Sequence, residues 1–104
     1  MEVSEFQKQC SSILRRIDQE KSLVRDGQFC IAQIVEEFGE LAKEINREKL
    51  RGAKANKQEL ENEFADVFLL LFDLAEYSGV DVEQAVEEKL ETVRQRFPFL
   101  NEDR

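Results

Sequence analysis

The chain has no histidine and no tryptophan, and only one proline, four glycines and two cysteines among its 104 residues. Each scarcity removes a class of function. Without histidine there can be no HExxH zinc site, no Glu-x-x-His di-iron bundle and no Ser-His-Asp triad. Any metal must be held by oxygen, which suits magnesium or manganese. So little glycine and proline cannot supply the turns of an all-β chain. Cys10 and Cys30 stand on different predicted helices with no CxxC between them, and they read as two buried free thiols. No run of 18 apolar residues is present, and the opening MEVSEFQKQC lacks the basic-then-apolar layout of a signal peptide. A cytoplasmic protein without a membrane partner is the expectation.

What is present is helix-forming and acidic. Hydrophobic residues make up 41% and charged residues 37%, which is too apolar for disorder. Residues 1–104 are one domain's worth of chain, with a modest core. The net charge is −8, and residues 59–91 carry eleven acids against one base, Lys89. That stretch repels a phosphate backbone, so nucleic acid is not an expected partner. A nucleotide remains possible, because a metal can bridge carboxylate to phosphate.

Cap signals divide the chain into four helices, an all-α four-helix bundle. Ser4-x-x-Gln7 reads as a capping box opening a helix that runs to about Arg25. A second helix spans about Gln28 to Leu50 and stops near Gly52. Asn56-x-x-Glu59 opens a third, ended by Gly79 at the C′ position, and Asp81-x-x-Gln84 opens a fourth, ended by Pro98. The second helix is expected to bury Ile31, Ile34, Phe38, Leu41 and Ile45, and the third Leu60, Phe64, Val67, Leu71 and Leu74. Val67 to Phe72 (VFLLLF) is apolar all the way round. So short a chain needs cover for both sides of that helix, which predicts a homodimer or a homotetramer built as a dimer of dimers.

Beside each apolar seam runs an acidic row: Glu37, Glu40 and Glu44 on the second helix, and Glu63, Asp66 and Asp73 on the third, with Leu70 and Tyr77 among the latter. Like charges three or four residues apart destabilise a helix by roughly 0.2–0.5 kcal/mol per pair, and from Glu59 to Asp66 there are four acids and no base. A divalent cation shared by Glu37, Glu40, Glu63 and Asp66 would remove that repulsion, giving an oxygen-only site of the kind magnesium accepts. No D-x-D-x-D-G loop exists, so an EF-hand is excluded. Packing these helices antiparallel would let the two rows face each other.

Glu36-Glu37-Phe38-Gly39-Glu40, followed after twenty-two residues by Glu63-Phe64-Ala65-Asp66, resembles the EExxE…ExxD signature of the MazG-like nucleoside triphosphate pyrophosphohydrolases. The words IVEEFGELAKEI, ELENEFADVFLLL and EEKLETVRQRFP extend the resemblance over about residues 28–98. It implies an all-α, oligomeric, Mg2+-dependent enzyme, with Mn2+ as a substitute, that splits nucleoside triphosphates into monophosphate and pyrophosphate by water attack at the α-phosphorus. Carried over by position, Glu37, Glu40, Glu63 and Asp66 match the metal ligands. Glu36 matches the first acid of the motif and, with Glu37, is the catalytic candidate for orienting or deprotonating water. Lys89 matches a phosphate-reaching base of the last helix, and Arg94, Arg96 and Lys54 are further phosphate candidates. Phosphoribosyl-ATP pyrophosphatases use similar carboxylate pairs and form a second enzyme reading. A non-catalytic acidic module docking through VFLLLF is the reading from another class.

Overall fold

The computed structural model describes residues 2–101. Its elements are α1 (Val3–Glu20), α2 (Gly27–Ile45), a short α3 (Arg47–Arg51), α4 (Lys57–Tyr77), α5 (Val82–Arg96) and a closing 3-10 turn (Pro98–Asn101). The fold is all-α, with no strand among the described residues. The central helix is α4, with α2 packed along one side and α1 along another, while α5 meets chiefly α1 and the 3-10 turn. The Cα radius of gyration is 17.2 Å, whereas a closed domain of this length has about 13 Å. The four long helices therefore do not close on themselves within one chain.

Three caps form as the sequence specifies. Asn56 Oδ1 accepts from the Glu59 N–H at 3.1 Å, and Asp81 Oδ1 accepts from the Gln84 N–H at 3.2 Å. Gly79 sits in the left-handed region at φ 72°. The Gly79 and Val80 N–H groups donate to the Glu76 and Ala75 carbonyls, a complete Schellman stop for α4.

Other boundaries differ from expectation. The Ser4–Gln7 capping box does not form: Glu2 occupies the N-cap and caps nothing with its side chain. Ser4 and Gln7 are spent on the start of α5 instead. The Ser4 N–H donates to Glu83 Oε1 at 2.9 Å, and Gln7, 3% exposed, clamps the α4–α5 turn. Its amide nitrogen donates to the Val80 carbonyl and to Glu76, and its oxygen accepts from the Val82 N–H. The first helix ends at Glu20 rather than near Arg25, because Ser22 takes the left-handed C′ position at φ 53°. The Ser22 and Leu23 N–H groups close onto the Gln19 and Asp18 carbonyls. The chain then turns back so that Arg25 grips Asp18 through two hydrogen bonds of 2.8 and 3.0 Å. The second helix breaks at Asn46, whose side chain donates to the Ala42 carbonyl, so residues 47–51 form a separate turn. Asp26, with its side chain on the Phe29 N–H, caps α2 one residue earlier than expected.

Both inner helices also present a different face from the one predicted. On α2 the buried residues are Cys30, Ile34 and Leu41, while Ile31, Val35, Phe38 and Ile45 remain more than half exposed. On α4 they are Val67, Leu70 and Asp73, with Phe64, Phe68 and Leu71 exposed. At 100° per residue the buried face is turned toward the carboxylate row by roughly 40° on α2 and roughly 80° on α4. Leu14, Ile34 and Leu70 form the core, with Leu69 and Leu74 against it. Within VFLLLF, then, the inner side is covered by α1 and α2, and Phe68 and Leu71 face outward.

Gln7, with Ser4, ties the start of α5 to α1 and α4. Gln7→Leu strands the Val80 carbonyl and the Val82 N–H, and an unsatisfied group costs roughly 1–3 kcal/mol when buried. Since both sit near the surface, we expect about 2 kcal/mol less stability in urea unfolding, with amide exchange rising in α5 before α4. A loss below about 0.5 kcal/mol would show that the clamp is not what holds α5.

Candidate metal centre

Two contacts fix α2 and α4 antiparallel. At one end, Glu44 Oε1 accepts from the Asn56 N–H at 2.8 Å, tying the end of α2 to the cap of α4. At the other, Tyr77 lies over Gly27, where an added Cβ would stand 3.5 Å from its ring. Between these ends, helical spacing sets Glu37 opposite Glu63 and Asp66. One carboxylate oxygen from each of the three lies within 4.8 Å of the other two.

Three carboxylates at that separation are costly unless something neutralises them. Glu63 Oε2 is buried with no hydrogen-bond partner among the described residues, an arrangement rare enough in native folds to require an explanation. Burial, followed by the charges of Asp66, Glu40, Glu59 and Glu44, raises the Glu63 pKa above the usual carboxylate range. Burial, followed by Asp66, Glu63, Glu40 and Glu36, does the same to Glu37. An oxygen-only, multiply anionic and partly desolvated donor set is what a hard divalent cation takes. The residues fit such an ion.

The other candidates are distributed around this trio. Glu40 is exposed and lies outside the trio, lining with Glu44, Glu59 and Glu63 an open cavity of about 260 Å³ at the α3 end of the seam. Lys43, Arg47 and Arg51 line the same cavity. Sequence reasoning did not place these three bases beside the site; the available signal was the cluster of Lys43, Arg47 and Arg51 around the end of the Glu37–Glu40–Glu44 row. Glu36 is exposed, one position from Glu37. Lys54 lies in the exposed turn before α4 and does not line the cavity. Lys89, Arg94 and Arg96 are on α5, whose main contacts are elsewhere, and they do not line it either; Arg94 pairs with Glu91 at 3.6 Å.

Asp73 continues the acidic row of α4 but belongs to a different structure. It is 0% exposed, accepts from Arg15 at 3.0 Å, and lies 3.6 Å from the Cys30 sulfur. Arg15 also reaches Asp18, which Arg25 holds in turn; those hydrogen bonds hold the Asp18 carboxyl below its ordinary pKa. Burial, helped by the Asp73 charge, pushes both thiols up. Cys10 and Cys30 are free, as expected, although only Cys30 is buried and Cys10 is half-buried.

Comparison with known families supplies one match: the profile described as MazG nucleotide pyrophosphohydrolase domain, over residues 25–100. No curated protein and no solved structure matches the chain.

The raised pKa values carry a sign that can be measured. Because Glu37 and Glu63 hold protons more tightly folded than unfolded, the folded chain binds more protons from the ordinary carboxylate range up to the raised values. Their contribution to metal-free stability therefore rises as pH falls through that window and is lost above it. Without metal, Glu63→Gln should melt higher than the parent chain at pH 7, with the difference shrinking as pH falls. Millimolar Mg2+ should raise the parent melting temperature, since a ligand at 100 times its Kd adds about 2.7 kcal/mol, and should leave Glu63→Gln unmoved. Equal response of both chains to Mg2+ would remove Glu63 from the ligand set.

Proposed function

The chain belongs to the MazG nucleotide pyrophosphohydrolase domain family, and from that premise we propose that it is a Mg2+-dependent nucleoside triphosphate pyrophosphohydrolase. Its substrate is a ribo- or deoxyribonucleoside triphosphate, its products are the monophosphate and pyrophosphate, and its role is upkeep of the cytoplasmic nucleotide pool. The observation that carries this reading is the Glu37–Glu63–Asp66 trio with its unpartnered buried oxygen. No helix among the described residues is long and apolar enough to cross a membrane.

Glu37, Glu63 and Asp66 would hold the ion, with Glu40 as a fourth carboxylate nearby. The divalent cation, Mg2+ or in its place Mn2+, would supply Lewis acidity, neutralising phosphoryl charge and lowering the pKa of water. Glu36 and Glu37 orient the attacking water and take its proton. The anionic seam repels free phosphate and free nucleic acid alike, so substrate enters as its metal complex. Lys89, Arg94 and Arg96 lie on a helix that does not pack along its own seam, and they reach the phosphates of a site on a second subunit; Lys54 approaches from the turn before α4. Hydrolysis of a panel of nucleoside triphosphates in oxygen-18 water should place the label in the monophosphate and none in pyrophosphate. Glu37→Gln, Glu40→Gln, Glu63→Gln and Asp66→Asn should each lose at least about 100-fold in turnover, and EDTA should abolish it. Label in orthophosphate would refute the reaction.

The second subunit covers the outward apolar residues of α2 and α4, namely Ile31, Val35, Phe38, Phe64, Phe68 and Leu71. A face of this kind marks an interface, and the working form is a homodimer or a dimer of dimers. Light scattering should report a multiple of 12.2 kDa. Phe68→Glu should shift it toward monomer without changing Mg2+ affinity. Leu69 is unsuitable for this test, because it packs against the core. A parent chain that stays monomeric at micromolar concentration would refute the interface.

A further inference from the structure

We infer that Lys43, Arg47 and Arg51 form the subsite for the terminal phosphates of the substrate, and hence for the pyrophosphate that leaves. The triphosphate then lies along the α2–α4 seam with its tail toward residues 52–56. The inference rests on the reaction proposed above and assigns that reaction a direction along the helices.

Three observations carry it. First, Glu40 and Glu44 on α2 are followed, across the break at Asn46, by Arg47 and Arg51 on α3, so the side chains lining this end of the seam pass from acidic to basic. Second, the three bases share a single open cavity with Glu40 and Glu63. Its roughly 260 Å³ leaves room for a diphosphate. A bare anion in that cavity meets the carboxylates, and a bare cation meets the bases. A polyphosphate that carries a metal at one end satisfies both, with the guanidinium groups able to grip phosphate oxygens in pairs. Third, the bases are available. Among the described residues neither Lys43 nor Arg51 is in an ion pair, and the one partner of Arg47 is Glu44 at 3.5 Å. Glu44 is already engaged by the Asn56 N–H at 2.8 Å.

The plainer explanation is that bases collect at helix C-termini to complement the helix dipole. Lys49 provides the control, since it lies on α3 between Arg47 and Arg51, is exposed, and does not line the cavity. A dipole or net-charge effect would treat Lys49 and Arg51 alike, whereas a subsite would not.

The test is calorimetric titration of magnesium pyrophosphate, and separately of Mg2+ alone, into the parent chain, Arg51→Gln, Lys43→Gln, Lys49→Gln and Arg51→Lys. Affinity for Mg2+ alone should agree within about twofold across the set. Affinity for magnesium pyrophosphate should fall at least about tenfold in Arg51→Gln and Lys43→Gln, hold in Lys49→Gln, and recover partly in Arg51→Lys. Thermal melts without metal check that each variant folds, and among the described residues neither Arg51 nor Lys43 is in an ion pair that its substitution would break. Equal losses in Arg51→Gln and Lys49→Gln would overturn the subsite, as would a parent chain that binds no magnesium pyrophosphate. If hydrolysis places label in orthophosphate while pyrophosphate affinity still depends on Arg51, the reaction is wrong and the subsite stands. If the products are monophosphate and pyrophosphate but affinity is unchanged in Arg51→Gln and Lys43→Gln, the subsite alone is wrong.

Discussion

Electrostatic repulsion across the α2–α4 seam is the constraint on which the rest of this structure depends. Two helices with long apolar stripes could have met stripe to stripe, yet each is rotated so that Glu37, Glu63 and Asp66 face inward. The antiparallel pairing is pinned at both ends, by the Glu44–Asn56 hydrogen bond and by Tyr77 against Gly27. The carboxylates are thus not free to splay apart. Charge that can neither relax nor be solvated fully must be neutralised, and that requirement makes the helix seam a candidate metal centre.

The same helix meets the same difficulty a second time and resolves it differently. Asp73 is more deeply buried than the trio, but Arg15 and the Cys30 thiol partner its oxygens. A chain of charged groups then runs from Asp73 through Arg15 and Asp18 to Arg25, which also stacks on Phe29 at 5.1 Å and bonds Gln33. This network joins α1, α2, α4 and the 21–26 turn. Such buried pairs add little net stability but are severely destabilising when half is removed, so they fix which faces meet. The contrast between the two sites is chemical: where the protein supplies its own cation the carboxylate is structural, and where it supplies none the carboxylate is left for a ligand.

Legibility in the sequence followed from how local each signal was. The Asn56 and Asp81 caps and the Gly79 stop were readable because each is decided within four or five residues. The end of α1 was not, because Ser22 adopts a positive φ that its side chain does not advertise. The break at Asn46 was hidden as well, since a lone asparagine in a helical pattern is ordinary. Ser4-x-x-Gln7 misled for the opposite reason: the local pattern fits a capping box, but a distant partner, the start of α5, claimed both side chains. The trio's members were readable as i,i+3 spacing on two separate helices, and so was Glu40. That Glu40 lies outside the trio, and that Lys43, Arg47 and Arg51 share its cavity, depends on the rotation of α2 and on the turn into α3.

By itself, then, the sequence determined the helical class, the positions of most turns, the oxygen-only chemistry of any metal site and the two carboxylate pairs on which the resemblance to the family rests. All of these depend on residue type and short spacing, which survive any choice of packing. The tertiary structure decided which of the two available faces each helix buries, which acids receive an internal cation and which do not, and which bases stand beside the site. The physical reason is that an amphipathic helix with an acidic margin can turn either its apolar stripe or that margin inward, and the choice depends on partners distant in sequence, such as Arg15 for Asp73.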